Sequence, residues 1–432
     1  MPSSIPAARR LTALPARVSD WLVRWRPILP ILIAELVLWI GFGSLLPVMP
    51  LYFTDRGIDV ATFGVIAAAW PAARLVGEPV FGWLADRTSR RPFMIGGLLA
   101  AGIVTALPLF VSGAPAFILL RALAGLATAA YDPSARGYLA DTAAPDRRGE
   151  VFGVFGAAAM GGLLLGPAVG GVGAAIVGDV SIVFVFAAVS AVVAAVALAV
   201  LLPTSARGPH QPVPPSPGVE LPPGLGPSGR VADEAPPTAP RRLLNRLLLA
   251  AILINFGTFF AAGTYEVVWS LYLSHLGAGL DLIGLTFALF ALPILLLSPF
   301  AGRLVDRGGG LLLLFGGPFA AGVCGILYTL VADPVWTVPI ILVEGLGFAF
   351  GGPALYAVVA RGSPQGRAST AQGIFGAAGT LGFIIASLAA GVLFRESVVF
   401  PFYTFSAVMA LSLVAALIIG GRQLGARPSA AA

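Results

Sequence analysis

The sequence predicts an all-α membrane protein, with twelve transmembrane helices arranged as two pseudo-symmetric six-helix bundles. The first observation is composition: 58% of the 432 residues are hydrophobic and 11% are charged, and the mean hydropathy is +0.92. These values lie outside the range of soluble globular chains. The second observation is that the apolar residues form long continuous runs, and the third is that the chain repeats itself at an offset of 220 residues.

The apolar runs have the length of membrane-spanning helices. A bilayer core of roughly 30 Å takes about 20 apolar residues per helical crossing. The runs lack the alternation of barrel strands, so helices are the form that satisfies the backbone in lipid. The predicted spans are about 28–53, 61–84, 93–112, 115–139, 151–176, 181–202, 244–274, 280–301, 310–331, 335–358, 369–394 and 399–420.

Polar segments divide the chain into five predicted regions. They are a cytoplasmic leader 1–27, an N-terminal bundle 28–202, a linker 203–242, a C-terminal bundle 243–421 and a cytoplasmic tail 422–432. The leader carries five arginines and no sustained apolar run, so we expect no cleaved signal peptide. In 203–240, 12 of 38 residues are proline, which predicts a disordered linker. A docking segment for a partner is the alternative.

Arginine placement predicts the orientation in the membrane. If the N-terminus is cytoplasmic, nearly all loop and terminal arginines fall inside, and only Arg56 and Arg395 fall in outside loops. The positive-inside rule then predicts that both termini are cytoplasmic, in a multi-pass protein of the cell inner membrane. The net charge of +6 reflects this topology and indicates no nucleic-acid partner.

The two bundles are predicted to be copies of one unit. At the 220-residue offset, Asp86-Arg87 aligns with Asp306-Arg307, and Pro133 aligns with Pro353. The segment Phe155-Gly156-Ala157-Ala158 aligns with Phe375-Gly376-Ala377-Ala378. Parallel repeats of this kind are typical of transporters that hold substrate between their halves near the membrane midplane.

The segment Gly82-Trp83-Leu84-Ala85-Asp86-Arg87-Thr88-Ser89-Arg90-Arg91 resembles the signature of the major facilitator superfamily between its second and third helices. Ser89 replaces the usual glycine. The resemblance implies a cytoplasmic gate in which Asp86 docks near Ala368 and Arg90 or Arg91 pairs with Asp141. The alternative is that these arginines only obey the positive-inside rule. The implied gate residues are Gly82, Asp86, Arg87, Arg90, Arg91, Asp141, Asp306 and Arg307.

A glycine-rich pattern in span 5 resembles the motif of drug:proton antiporters, the twelve-helix branch of that superfamily. It consists of Gly162, Gly166, Pro167, Gly170 and Gly171. Small residues four apart let helix backbones touch, and the proline removes a hydrogen bond, so the helix can bend there. Simple helix packing is the alternative.

In span 4, Arg121 and Gly125 resemble the family's membrane-embedded arginine motif, although Ala124 stands where glutamine is common. A charge inside the bilayer is expensive, which makes Arg121 a candidate functional residue. The alternative is that the side chain extends to the outer interface.

Four glutamates fall within the predicted spans. Glu78 lies one turn from Arg74, and we expect the two to neutralise each other. The segment around Glu266 resembles span 7 of multidrug efflux pumps, where an acidic residue alternates between a proton and a cationic drug. Burial favours the neutral form of a carboxyl, so Glu266, Glu344 and Glu35 are candidates for proton coupling or substrate binding together with Arg121. A structural hydrogen bond to a neighbouring helix is the alternative for each glutamate.

Together these features predict a monomeric secondary transporter that exports small amphipathic or drug-like molecules in exchange for protons. Aromatic residues including Phe42, Trp70, Phe259, Phe260 and Trp269 are candidate cavity walls. Helix packing is the alternative, since aromatics at these spacings more often pack helices. Export of a metabolite or lipid, or uptake of a nutrient, is the alternative within the superfamily.

Other classes of protein fit the sequence less well. A chain without lysine has no phosphate-binding loop for an ATP-driven pump. No constellation of His or acidic pairs indicates a membrane-embedded enzyme. We expect no cofactor and no metal site. His210 and His275 lie in predicted loops, and the single Cys324 has no partner for a disulfide.

Overall fold

Twelve long helices account for the predicted spans. The computed structural model describes residues 25–143, 148–202, 244–304, 310–363 and 368–425. In chain order the helices are α1 Leu29–Leu45, α2 Val60–Arg87, α3 Arg90–Ala106, α4 Ala114–Thr142, α5 Arg148–Val177, α6 Ile182–Leu201, α7 Arg246–His275, α8 Leu280–Leu304, α9 Gly310–Tyr328, α10 Thr337–Gly362, α11 Ala368–Glu396 and α12 Phe400–Gly425. Eleven of the described helices are long and apolar enough to cross a membrane when α3 is counted together with the 3-10 turn Leu107–Leu109 that follows it, and α1 is a shorter apolar helix of 17 residues. The predicted all-α membrane fold is confirmed.

The predicted first span is interrupted. Leu46, Pro47 and Val48 separate α1 from a short helix, Met49–Thr54. Pro47 has no N–H to donate to the helical ladder. Pro50 lies in the first turn of the short helix, where no intrahelical donor is needed.

Most of the segments predicted outside the bundles lie outside the described residues. These are the leader up to residue 24, the linker 203–242 and the tail from residue 426. Asp306 and Arg307, the predicted repeat of the gate motif, also fall outside.

The internal repeat is visible in turns and in packing. Gly57 and Gly277, which are 220 residues apart, both adopt a positive φ, of 77° and 88°, before α2 and α8. Within the first half, α1 packs on α5 and α2 packs on α4. In the second half, α7 packs on α11 and α8 packs on α10 in the same way. The two halves meet where α2 packs on α11 and where α5 packs on α8.

Glycines set how closely the halves approach at one end of the molecule, which we call the Asp59 end because α2 begins there. A Cβ on Gly171 of α5 would lie 2.5 Å from the carbonyl oxygen of Leu280, and one on Gly391 of α11 would lie 2.7 Å from the Cα of Ala61. Such backbone contact is possible only without side chains.

An ion pair adds to this end. Arg395 lies 3.9 Å from Asp59, the N-cap of α2. The Thr62 hydroxyl and the first backbone N–H groups of α2 donate to Asp59, and these hydrogen bonds hold the pKa of its carboxyl below the usual value. The pair joins the first half to the second.

The opposite end, where α2 terminates at Asp86-Arg87, is packed differently. A Cβ on Gly153, Gly156, Gly373 or Gly376 would meet no heavy atom within 4 Å. These glycines lie near the starts of α5 and α11, the helices that contact the other half at the Asp59 end. The halves are therefore in backbone contact at the Asp59 end, and there is free space beside these four glycines at the Asp86 end.

Candidate functional site

A buried ion pair joins the two halves of the chain. The Nη2 atom of Arg121 in α4 lies 2.5 Å from Oε1 of Glu266 in α7, and each side chain is 9% exposed. Arg121 lies seven residues into α4, roughly 10 Å along the helix axis from its start. Its guanidinium contacts Glu266, whereas the alternative expected it to extend to the outer interface. Its Nε is buried without a hydrogen-bond partner among the described residues.

Aromatic rings lie against this pair. The Arg121 guanidinium is 5.7 Å from the Phe42 ring centre and 5.8 Å from that of Trp70. Arg74 approaches the Trp70 ring to 4.7 Å, so this indole contacts two arginines. The rings of Phe42 and Trp70 are 5.1 Å apart, and Trp39 adds an edge contact to Phe42 at 5.3 Å. Of the five predicted wall residues, Phe42 and Trp70 thus lie at the ion pair.

The other predicted wall residues lie elsewhere. Phe260 and Trp269 are buried in the hydrophobic core, and the Trp269 Nε1–H donates to the Thr286 hydroxyl at 3.0 Å. Phe259 is 41% exposed. Aromatic residues spaced along a helix more often pack its neighbours than line a cavity, and Trp269 and Phe260 are examples.

A second charged cluster lies within the first half, around Arg74 of α2. Its Nε donates to Glu78 Oε1 at 2.8 Å, as expected from their spacing. Its Nη2 also pairs with Asp132 of α4, a residue that is 6% exposed. Arg136 lies 3.8 Å from Asp132. Asp132 was not among the predicted site residues, although a carboxylate within the predicted span 4 is the signal that would have found it.

Glu35 of α1 lies beside this cluster and is 3% exposed. The Trp39 Nε1–H donates to its Oε1 at 2.9 Å, and the Tyr131 hydroxyl donates to its Oε2 at 2.8 Å. Both donors are uncharged. Glu35 is joined to Asp132 through the adjacent Tyr131, and no arginine lies within ion-pair distance of it among the described residues.

Glu344 of α10 has the same kind of surroundings in the second half. It is 1% exposed, and the hydroxyls of Tyr265 and Tyr328 donate to its two oxygens at 2.8 and 2.9 Å. The Tyr265 ring also packs edge-on against Trp269 and lies 5.2 Å from Phe405. Tyr265 and Glu266 are consecutive in α7. Glu344 contacts the first of these residues and Arg121 contacts the second.

The predicted gate residues lie at the Asp86 end. Arg90, at the start of α3, pairs with Asp141 of α4, and its Nη2 donates to Asp86 at 2.8 Å. Arg91 donates to the Ala199 carbonyl at 2.6 Å, close to the end of α6. Arg87 stacks on the Trp83 ring at 3.8 Å. Of the two arginines expected near Asp141, Arg90 is the one in contact, and Asp86 is bonded to it in this conformation.

The remaining motif residues are glycines at close helix contacts. Gly82 of α2 lies beside Pro133 of α4, since an added Cβ would be 3.5 Å from the proline Cβ. In α5, Gly162, Gly166 and Gly170 face the backbone of α1, and a Cβ on Gly166 would lie 2.6 Å from the Ile40 carbonyl oxygen. Gly171 faces α8 of the other half. The α5 motif therefore contacts both its own half and the opposite half around Pro167.

The buried charged side chains of the site are Glu35, Glu344, Asp132 and Arg121. Within the described residues, no group of three or more His, Cys, Asp or Glu side chains has the arrangement of a metal site. Carboxyls that are buried with either a cation or neutral donors are able to exchange protons when their surroundings change.

Comparisons with known proteins agree with this architecture. The sequence profile of the Major Facilitator Superfamily matches residues 31–270 and 251–430. An uncharacterized MFS-type transporter of Methanocaldococcus jannaschii is 23% identical over 389 residues, covering 87% of this chain and 95% of the relative.

Two shorter matches are to drug-resistance proteins. Multidrug resistance protein 2 of Bacillus subtilis is 27% identical, covering 55% of this chain and 56% of the relative. Quinolone resistance protein NorA of Staphylococcus aureus is 25% identical, covering 31% of this chain and 35% of the relative. Each of these two matches covers less than two thirds of the relative.

Solved structures share the fold. A peptide transporter POT superposes with a TM-score of 0.70 at 17% identity, covering 92% of this chain and 94% of that chain. The human organic anion transporter MFSD10 superposes with a TM-score of 0.61 at 20% identity, covering 91% and 99%. Because the family profile spans both halves of the chain, this protein belongs to the Major Facilitator Superfamily and is a membrane transporter, not an enzyme.

Proposed function

We propose that this transporter exports small amphipathic or drug-like molecules in exchange for protons, by alternating access between its two halves. The buried Arg121–Glu266 pair carries the proposal. Breaking a buried pair by neutralising one partner costs about 3–5 kcal/mol, because the other charge is left without compensation. Protonation of Glu266 would therefore favour a conformation in which Arg121 and α7 separate. This links a proton to the relative position of the halves.

The same pair offers a reason for substrate coupling. A cation that enters between the halves can take the place of Arg121 beside Glu266, and Phe42 and Trp70 are available for stacking on an apolar ring. Proton and cation then compete for one carboxylate, which is the requirement for exchange. The names of the two drug-resistance relatives support this substrate class.

The orientation follows from the arginine distribution. With both termini in the cytoplasm, the Asp86 end faces the cytoplasm and the Asp59 end faces outward. The close backbone contact between the halves then lies on the outer side, as expected of the state from which an exporter takes up its substrate. Cysteines introduced in 203–240 of a Cys324→Ala variant test the orientation. In intact cells an impermeant thiol reagent should leave them unlabelled, and labelling would contradict the topology.

Transport by purified protein in proteoliposomes tests the function. A panel of cationic, neutral and anionic amphipathic fluorophores is offered with an imposed pH gradient, and protein-free liposomes serve as the control. We expect cationic compounds to move against their gradient, opposite to the flow of protons, and to stop when a protonophore collapses the gradient. Transport that is unchanged by the pH gradient would contradict proton coupling. Transport restricted to a metabolite or lipid would favour the alternative substrate classes.

A further inference from the structure

Two buried carboxyls, one in each half, are bound only by neutral donors. Glu35 accepts from Trp39 and Tyr131, and Glu344 accepts from Tyr265 and Tyr328. Both glutamates are at most 3% exposed. The two sites are not related by the 220-residue repeat, so the same arrangement occurs twice with different residues.

An ionised carboxylate in such a place lacks compensation. Removing a carboxylate from water costs several kcal/mol unless a cation or strong hydrogen bonds replace the water, and hydrogen bonds from neutral groups compensate only part of that cost. Uptake of a proton removes the cost. Glu266 differs, because its carboxylate contacts the Arg121 guanidinium at 2.5 Å.

The charges around Glu35 point the same way. The cluster beside it contains two cations, Arg74 and Arg136, and two carboxylates, Glu78 and Asp132. These four charges balance, so an ionised Glu35 would add an unbalanced negative charge. Asp132 follows Tyr131, the donor to Glu35, directly in α4, so Glu35 and the buried carboxylate of this cluster contact neighbouring residues of one helix.

For Glu344 the neighbouring ionisable groups are Tyr265, Tyr328 and Cys324. None is a cation. The Cys324 Sγ lies 3.7 Å from the Ile340 carbonyl oxygen, and the hydrogen bonds to Glu344 come from the two tyrosines.

We propose that the three glutamates divide the work: Glu35 and Glu344 each hold a proton in this conformation, and Glu266 is ionised and forms the cation site. Asp132 is a positioning residue that keeps the proton on Glu35. This division rests on the proposed proton-coupled export. Each proton forms an O–H bond with one carboxyl oxygen, and on release it passes to water at the end of the molecule that is open. Two protonated carboxyls beside one ionised one would let more than one proton be taken in for each cation that is exported.

Infrared spectroscopy of the purified protein tests the protonation directly. Protonated carboxyls absorb separately from carboxylates, and their band shifts on exchange into heavy water. We expect Glu35→Gln and Glu344→Gln each to lose part of this band at neutral pH, whereas Glu266→Gln and Glu78→Gln keep it. Glu78 is the matched control, because it belongs to the same cluster but is bonded to Arg74. A band unchanged in Glu35→Gln and Glu344→Gln would overturn the proposal, as would its loss in Glu266→Gln.

The role of Asp132 has its own readout. Asp132→Asn removes the negative neighbour and leaves an excess of positive charge, so in a pH titration the Glu35 part of the band should disappear at lower pH than in wild type. An unchanged titration would exclude Asp132 as the controlling group. Should Asp132→Asn fail to fold, Arg136→Gln gives the opposite prediction at an exposed position, with the band persisting to higher pH.

The outcome of the infrared experiment does not depend on whether transport is coupled to protons. If the protein fails to couple export to protons, the proposed function falls but the infrared bands still report which carboxyls are protonated. If coupled export is observed and the bands do not change, the division of work fails and the proposed function stands.

Discussion

Arg121 Nη2 and Glu266 Oε1 lie 2.5 Å apart, although 145 residues separate them in the chain. The pair connects α4 of the first half to α7 of the second, in a place with little access to water. It is accompanied by one other ion pair between the halves among the described residues, the exposed Arg395–Asp59 pair at 3.9 Å. Exposed pairs contribute about 0–1 kcal/mol to stability, so the buried pair is the one whose loss should weaken the contact between the halves.

Replacing Glu266 tests proton coupling. Glu266→Gln imitates the protonated side chain permanently, so we expect it to abolish uphill efflux while downhill exchange survives. Export of cations should suffer more than export of neutral compounds, and Glu266→Asp, which keeps the charge, should be milder. The measurement is substrate-induced proton release from detergent-solubilised protein. Release equal to that of wild type would exclude Glu266 as the main coupling site and leave Glu344 and Glu35 as the candidates.

Measurements of stability distinguish a buried charge that has lost its partner from a buried charge pair. Arg121→Gln leaves Glu266 without its cation, and Glu266→Gln leaves Arg121 without its anion, so each single change should destabilise the protein, by up to about 3–5 kcal/mol. The double variant removes both charges and should be more stable than either single variant. Thermal unfolding in detergent measures this. If the double variant loses as much stability as the two single variants together, the two side chains do not interact.

Two glycines of α5 form a matched pair for testing the contact between the halves. A Cβ on Gly171 would press on the Leu280 carbonyl, whereas one on Gly173 would meet nothing within 4 Å. Gly171→Ala should therefore open the Asp59 end and slow transport, and Gly173→Ala should change neither. Spin labels on the loops after α5 and before α8, in a Cys324→Ala background, report the distance. Equal distances in the two variants would show that this contact does not control the opening.

The cluster at the Asp86 end predicts a defect in transport without a defect in folding. Asp86 is 65% exposed and accepts from Arg90 at 2.8 Å, while Arg90 keeps its pairing with Asp141. We expect Asp86→Asn to be expressed and inserted nearly normally and to transport poorly, because the neutral side chain weakens a gate contact. Asp141→Asn is the companion variant, since it removes the other partner of Arg90. Full transport by Asp86→Asn would eliminate the proposed gate.

Several features of the site were predictable because they are local. Glu78 and Arg74 are one helical turn apart, so their contact follows from spacing alone. The glycines of α5 are marked by a four-residue spacing, and Asp86 and Arg90 are marked by their motif. The pairing of Asp132 with Arg74 could not be predicted, because the two residues are 58 positions apart in different helices. Trp269 was expected in a cavity wall and lies in the core, since sequence does not tell which face of an apolar helix meets lipid, core or substrate.

The sequence by itself determined the twelve apolar helices, their division into two repeated halves and the family, because the cost of exposing backbone and charge to lipid acts on every segment independently. The tertiary structure decided which charges meet: Arg121 with Glu266, Asp132 with Arg74, and Glu35 and Glu344 with neutral aromatic donors. It also decided that the halves touch at the Asp59 end. These outcomes depend on how helices rotate and pack against one another, and in a chain that is apolar on nearly every helix face the hydropathy pattern contains no information about that rotation.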